Sequence, residues 1–172
     1  MGKKLIINMK DFRIRGDVLD ISKSNTGIIY NISKETESEL SIDYVDSENR
    51  GVLKRRLYDA CTFFFNLNSI WSNRGKENII KEVTNYLKDE GRIFIWDVRK
   101  ERGSVVDNTI QVVLPNDKIK EVNFKNYNPL NTCFLEEVKK ILEKYYEIEQ
   151  TKTWGNIFFI MGKKKNKLKK EG

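Results

Sequence analysis

The sequence predicts an α/β protein with a mostly parallel central sheet that ends in an antiparallel pair of strands. Between residues 17 and 98, short apolar segments alternate with segments of helical periodicity, the order typical of parallel strands joined by crossover helices. Two apolar segments around a turn close the chain. We expect a single domain over residues 1–172, with residues 1–16 as a leading arm and residues 162–172 as a lysine-rich tail.

Four segments have the character of strands in the parallel part of the sheet. Residues 58–71 form the most hydrophobic run, whose first half is too aromatic and too short for a helix and is typical of a strand buried on both faces. Residues 40–45 alternate between apolar and polar side chains. The predicted strands are residues 17–21, residues 40–45, the first half of 58–71, and residues 91–98.

Apolar residues recur at helical spacing between and after these strands. In residues 77–87, Ile80, Val83 and Leu87 follow one another at intervals of three and four, and Gly91 is the predicted C-terminal stop. The predicted helices are residues 27–38, 47–57, 77–87 and 133–146.

Two antiparallel pairs are predicted in the second half of the chain. Residues 109–113 and 119–124 carry alternating β-branched side chains on the two sides of an LPND segment, which favours a β-hairpin. Two further strands lie on either side of a turn at residues 154–156. Because we find no repeat and no linker, all these elements are assigned to one domain.

Composition indicates a soluble globular protein of the cytoplasm. Hydrophobic residues make up 39% of the 172 residues and charged residues 33%, and no apolar run approaches the ~20 residues that span a bilayer.

Cys61 and Cys133 lack metal-type spacing, and Cys61 lies in an apolar run, so a reduced, buried thiol is expected there. The chain has no histidine, which removes the commonest general base and metal ligand; we expect no metal site.

The net charge of +7 is concentrated in two places. Residues 162–172 hold six lysines and one glutamate, and residues 50–56 form a second basic cluster, so the chain without its tail is close to neutral. A solvated terminus is the simpler interpretation of the tail, and a contact surface for nucleic acid is the alternative. Nucleic acid is not the expected partner, because the sequence shows no basic motif interleaved with aromatic residues.

Three segments resemble the class I S-adenosylmethionine-dependent methyltransferases. Residues 18–27, VLDISKSNTG, are similar to the first motif of that family, an apolar strand that ends in Asp and enters a glycine-rich loop. Residues 58–97 are similar to its fourth strand, the next helix and its fifth strand, and residues 145–165 to its closing antiparallel pair. The resemblance implies a Rossmann-like fold and S-adenosylmethionine as cofactor.

The chain departs from that family in two respects. Ser22, Ser24 and Thr26 stand where the family's loop usually has glycine, and Gly27 is the one glycine of the loop. A residue other than glycine in the left-handed region costs about 1–2 kcal/mol. Only fifteen residues separate Asp43 from Asp59, which leaves room for one short helix, so the family's third strand is expected to be missing.

The resemblance also implies the cofactor-binding residues. Asp20 corresponds to the acid that orients the amino-acid end of the cofactor, and Asp43 to the acid that accepts the ribose hydroxyls, with Asp46 as its rival. Phe64 and Phe65 lie where the fourth strand ends, and are core residues in the simpler interpretation. The predicted cofactor-binding residues are Asp20, Ser22, Ser24, Gly27, Asp43, Asn66 and Asn68; no catalytic residue is assigned.

The function predicted from these observations is that of an S-adenosylmethionine-dependent methyltransferase acting on a small molecule. The alternative is a catalytically inactive methyltransferase-like scaffold used for binding or oligomerisation, since the loop has lost glycines. If the third strand is missing, residues 40–45 form an exposed sheet edge that must be covered or paired. We expect the leading arm to cover this edge; a homodimer through the same edge is the alternative.

Overall fold

The computed structural model describes residues 2–22, 26–34, 42–45 and 57–166, which form two β-sheets and three α-helices. A 3₁₀ turn spans Leu67–Ser69. The strands are β1 (Lys3–Asn8), β2 (Val18–Ile21), β3 (Ile42–Val45), β4 (Tyr58–Phe64), β5 (Leu87–Val98), β6 (Val106–Val113), β7 (Ile119–Asn126), β8 (Tyr146–Trp154) and β9 (Ile157–Lys164), and the helices are α1 (Ile28–Lys34), α2 (Asn73–Thr84) and α3 (Leu135–Glu143).

The larger sheet has six strands in the order β3-β2-β4-β5-β9-β8. Strands β3, β2, β4 and β5 run parallel, whereas β9 is antiparallel to both β5 and β8. From β2 the chain crosses to β3 on one side and then to β4 on the other, so the topological switch point lies between β2 and β4. Open α/β sheets bind their ligands at the carboxyl ends of the strands that flank such a point.

The smaller sheet has three strands in the order β1-β6-β7. Strands β6 and β7 form the predicted hairpin, and β1 pairs in parallel with β6, Leu5 opposite Ile110. The expectation that the leading arm covers the edge at β3 is therefore wrong, because the backbone groups of residues 3–8 pair with β6. The expectation of one mostly parallel sheet must also be corrected, since the strands divide into two mixed sheets.

Two apolar cores cover the two faces of the larger sheet. Between the sheets, Val18 and Trp96 share one core with Ile110 of the smaller sheet and with Ile28 of α1. On the other face, buried residues of β2, β4, β5 and β9 pack against α2 and α3. Because residues 60–64 of β4 and residues 93–98 of β5 are covered on both sides, both segments are buried continuously, without alternation.

The helices differ from their predicted bounds for local reasons. Helix α2 begins at Asn73, earlier than expected, because the Ser72 side chain accepts a hydrogen bond from the Gly75 amide (3.0 Å) and so caps the first turn. It ends at Thr84 because Leu87 already pairs with Tyr58 in the sheet. Gly91 therefore lies inside β5 and does not end the helix.

Several expectations concern residues outside the described part of the chain. Most of the predicted helix over residues 47–57 lies there, as does the stretch in which the third strand is expected to be missing. The start of the lysine-rich tail is described, and residues 162–164 belong to β9, where Lys164 donates to the Leu87 carbonyl (2.8 Å). Among the described helices, none is long and apolar enough to cross a membrane.

Candidate functional site

A cavity of about 220 Å³ lies at the carboxyl ends of β2 and β4, at the topological switch point. Its walls come from three places: the end of β2 with the loop after it, the end of β4 with the turn after it, and strand β7 of the smaller sheet. The lining residues are Asp20, Ser22, Thr26, Phe64, Phe65, Asn66, Ser69, Val122, Asn123, Phe124 and Lys125.

Asp20 supplies a buried carboxylate to this cavity. It is 4% exposed, and its Oδ1 accepts a hydrogen bond from the Thr62 hydroxyl at 2.6 Å. Burial raises the pKa of Asp20 to about 6, and the hydrogen bonds from Thr62 and Ser22 partly oppose that rise. At neutral pH the carboxyl is therefore mostly ionised. A carboxylate in this position attracts a cationic group of a ligand.

Thr62 was missed by the sequence reasoning. It is fully buried and lies opposite Asp20 in the pairing of β2 with β4, so the two side chains are on the same face of the sheet. The only signal in the sequence was a hydroxyl within an otherwise apolar run. Since β-branched residues are common in strands for packing reasons alone, that signal does not indicate a partner.

The loop after β2 is described only in part. Ser22 and Thr26 line the cavity, whereas Ser24 lies outside the described residues. Gly27 has a φ of +71°, and a Cβ there would lie 2.7 Å from the Lys120 ammonium nitrogen of β7. Glycine thus meets a backbone requirement at this position, directly before α1. The predicted involvement of Ser24 in binding stays a prediction.

Asn66 lies in the lining of the cavity. Its Nδ2 donates to the Ile21 carbonyl, which fixes the side chain across the gap between β2 and β4. Its Oδ1 is buried and has no hydrogen-bond partner in the described part of the chain. Phe65, the preceding residue, has a φ of +57°, an unfavourable conformation for a bulky side chain, and its amide donates to the Trp96 carbonyl (2.8 Å). Backbone strain of this kind concentrates at functional sites.

Asn68 occupies a different environment from Asn66. It is fully buried, its Nδ2 donates to Asp97 Oδ1 (2.7 Å), and its Oδ1 accepts from Asn126 Nδ2 (2.8 Å). Burial raises the pKa of Asp97 to about 6, against the hydrogen bonds from Val98 and Asn68. Asn68 is not among the side chains that line the cavity. The geometry gives it a structural role between β5 and β7.

Asp43 lies in β3, opposite Leu19 of β2. Its side chain and the whole of Asp46 lie outside the described part of the chain. The choice between these two acids for the ribose hydroxyls stays a prediction.

Strand β7 is the wall that sequence reasoning did not assign to the site. The hairpin itself was expected, but its position over the carboxyl ends of β2 and β4 was not. Phe124 packs against Phe65 with ring centroids 5.7 Å apart, which brings β7 next to the end of β4. The available signal was an alternation along β7, in which half-buried residues lie between exposed ones; the half-buried residues are Lys120, Val122 and Phe124. This pattern shows which face of the strand is turned inward. It does not show which part of the protein that face covers.

The described residues fit part of S-adenosylmethionine, the cofactor implied by the sequence resemblance. That molecule carries a sulfonium and an ammonium group, and the lining of the cavity includes the Asp20 carboxylate and the side chains of Phe64 and Phe65. Cations are stabilised by such carboxylates and aromatic faces. Ligand pockets usually enclose about 300–1,000 Å³, and the described cavity, at about 220 Å³, is smaller than that.

Comparison with known proteins agrees with this architecture. No protein-family model matches the chain, and no curated protein sequence matches it. Among solved structures, the chain is similar to a SAM-dependent methyltransferase from Aquifex aeolicus, with a TM-score of 0.57 at 15% identity over 86% of this chain and 81% of that one. It is similarly close to an S-adenosylmethionine-dependent methyltransferase from Clostridium acetobutylicum (TM-score 0.57, 12% identity, 89% and 85% coverage).

A third similar structure is the DhpI–SAH complex, with a TM-score of 0.57 and 12% identity over 88% of this chain and 77% of that one. At such identities the likeness concerns the fold. The chain has the Rossmann-like fold of the class I S-adenosylmethionine-dependent methyltransferases, as the resemblance of its sequence predicts.

Proposed function

We propose that this protein is an S-adenosylmethionine-dependent methyltransferase that acts on a small molecule. One observation carries the proposal: the buried carboxylate of Asp20 lies in the lining of a cavity at the switch point of a methyltransferase fold. The DhpI–SAH complex among the similar structures supports it.

Asp20 would hold the cationic amino-acid end of the cofactor. Its Oδ1 is bound by Thr62, so the carboxyl group is fixed in orientation before any ligand arrives. A hydrogen bond from an ammonium to a carboxylate contributes about 1.5–3 kcal/mol, more than a neutral pair. Asn66 would keep the ends of β2 and β4 together at the site, since its Nδ2 donates to the Ile21 carbonyl.

When bound, S-adenosylmethionine would supply an electrophilic methyl group to a nucleophilic atom of the acceptor. This reaction depends chiefly on alignment. The residues at the ends of β2 and β4 would hold the cofactor in line with the acceptor, and strand β7 forms a wall of the same cavity. The absence of histidine from the sequence is compatible with such chemistry.

Calorimetry with S-adenosylhomocysteine tests the proposal. The natural protein should bind it, and Asp20→Asn should weaken binding about tenfold or more, since the charge is lost while the shape is kept. Asp89→Asn, which removes an exposed carboxylate in β5, is the matched control and should bind like the natural protein.

Absence of binding would overturn the proposal. If the protein does not bind S-adenosylhomocysteine at millimolar concentration, a non-catalytic scaffold is the remaining interpretation. Binding that appears only when Ser22 and Ser24 are both replaced by glycine would show that the loop has lost its ability to hold the cofactor.

A further inference from the structure

Strand β7 places a lysine on the same face as the two residues that form its inner wall of the cavity. Phe124, Val122 and Lys120 alternate with exposed neighbours and are each half-buried, so their side chains lie on one face of the strand. Phe124 and Val122 line the cavity, and Phe124 packs against Phe65 at the end of β4. Lys120 continues this face in the direction away from Phe65.

The ammonium group of Lys120 lies against the end of the loop after β2. A Cβ on Gly27 would lie 2.7 Å from the Lys120 Nζ, so the ammonium occupies the space beside the glycine. Gly27 directly follows Thr26, which lines the cavity. The charged end of Lys120 is therefore at the margin of the cavity, next to the loop.

Lys120 lacks an anionic partner in this position. Among the residues that the structure describes, no carboxylate forms an ion pair with its ammonium. Lysine side chains usually keep the charged end in water, whereas this one is half-buried and extends from β7 to the loop. An unpaired cation at the margin of a cavity attracts an anionic group of a ligand.

The composition of the loop favours a contact of this kind. Glycine allows a backbone to approach a ligand closely, but this loop carries Ser22 and Thr26 at two positions that line the cavity. Side chains at these positions keep the loop amides farther from a ligand. An ammonium on the opposite wall compensates for that loss, because it donates strong, charge-assisted hydrogen bonds to a carboxylate.

We propose that Lys120 binds the carboxylate at the amino-acid end of S-adenosylmethionine. Asp20 lies just before the loop and Lys120 lies against its last residue, so a negative and a positive charge flank the loop. The amino-acid end of the cofactor carries one ammonium and one carboxylate, which match these two charges. The inference rests on the proposed function, because it concerns the same cofactor.

Two analogues of S-adenosylhomocysteine separate the two charges. S-adenosyl-3-thiopropylamine keeps the ammonium and lacks the carboxylate, whereas 4-(5′-adenosylthio)butyrate keeps the carboxylate and lacks the ammonium. In calorimetry, Lys120→Met should raise the Kd of S-adenosylhomocysteine and of the butyrate about tenfold and leave that of the amine within about twofold. Asp20→Asn should weaken binding of S-adenosylhomocysteine and of the amine, and leave that of the butyrate unchanged.

Two matched variants separate the charge of Lys120 from a role in folding. Lys118→Met removes an exposed lysine two residues before Lys120 and should leave all three Kd values unchanged. Lys120→Arg keeps the positive charge and should bind S-adenosylhomocysteine within about threefold of the natural protein. Urea denaturation of each variant establishes that it is folded.

The outcomes distinguish this inference from the proposed function. If the natural protein and Lys120→Met bind S-adenosylhomocysteine with equal Kd values, the inference is overturned and the proposed function stands. Equal weakening of the amine and the butyrate in Lys120→Met would also overturn it, because the effect would not depend on the carboxylate. If the natural protein does not bind S-adenosylhomocysteine at millimolar concentration, the proposed function fails and the inference fails with it.

Discussion

Asn126 at the end of β7 donates two hydrogen bonds to Asn68 in the turn after β4, one to its side-chain oxygen and one to its carbonyl. Asn68 in turn donates its side-chain amide to Asp97, a fully buried carboxylate of β5. A hydrogen-bonded chain of three buried polar side chains thus connects the smaller sheet to the larger one. It fixes the end of the strand that covers the candidate site.

Asn126→Ala should lower the free energy of unfolding by about 1–3 kcal/mol, because Asn68 Oδ1 loses its partner while it stays buried. Hydrogen exchange should also speed up in residues 119–126, since the end of β7 is no longer held. Urea denaturation and exchange measured by mass spectrometry check the two effects.

Asn123→Ala is the matched control for that variant. Asn123 lies in the same strand and accepts a hydrogen bond from Thr109 (2.9 Å), but this bond is exposed. Its loss should change stability by only a few tenths of a kcal/mol, because water replaces the partner. Equal effects of the two substitutions would show that the bond between Asn126 and Asn68 has no special importance.

Asp20→Asn should make the stability of the protein depend less on pH. Burial raises the pKa of Asp20 to about 6 from an ordinary value of 3.8, so the folded state binds this proton more tightly than the unfolded state does. The stabilisation from that proton is complete below about pH 4 and is lost as pH rises through about 6. The free energy of unfolding of the natural protein should therefore fall by roughly 3 kcal/mol relative to that of the variant across this pH range.

Urea denaturation of both proteins between about pH 4 and pH 7 measures this difference. Asp97, whose pKa is also raised, is present in both proteins and cancels in the comparison. Asp89→Asn, which replaces an exposed carboxylate, should follow the natural protein at every pH. If the difference in free energy of unfolding between Asp20→Asn and the natural protein does not change with pH, the prediction is contradicted.

Gly27→Ala and Gly103→Ala should destabilise the protein by similar amounts. Both glycines have a positive φ, +71° and +80°, so alanine costs about 1–2 kcal/mol at either position. At Gly103 a Cβ meets nothing within 4 Å, and at Gly27 it meets only the Lys120 ammonium nitrogen at 2.7 Å, the end of a flexible, half-buried side chain that can move away. Thermal denaturation of the two variants measures both losses of stability. A clearly larger loss for Gly27→Ala would show that Lys120 is held in place.

Both cysteines should resist thiol reagents in the native protein. Cys61 and Cys133 are free and fully buried, as the apolar surroundings of Cys61 predicted, and burial raises the pKa of both thiols well above the ordinary range. Ellman's reagent should label neither until guanidinium is added, when two thiols react. Val105→Cys, at an exposed position, should add one thiol that reacts without denaturant. Rapid labelling of the natural protein would contradict the burial of these residues.

Most elements of the larger sheet were predictable because their signals are local. The apolar runs of β4 and β5, the helical spacing in α2 and α3, and the turn between β8 and β9 each lie within about a dozen residues. The position of Asp20 was predictable for the same reason, since an acid that ends an apolar strand lies at the carboxyl edge of a parallel sheet.

The sequence by itself determined the alternation of strands and helices, the resemblance to a methyltransferase fold, and the position of Asp20 at the end of an apolar strand. Only the tertiary structure decided that residues 3–8 pair with β6, that β7 covers the site, that Thr62 holds Asp20, and that Asn68 is bound by Asp97 and Asn126. The physical reason is sequence separation. Periodicity shows which face of a segment is buried, but the partner of a strand or of a buried polar group is fixed by packing between residues about forty to a hundred positions apart in the chain.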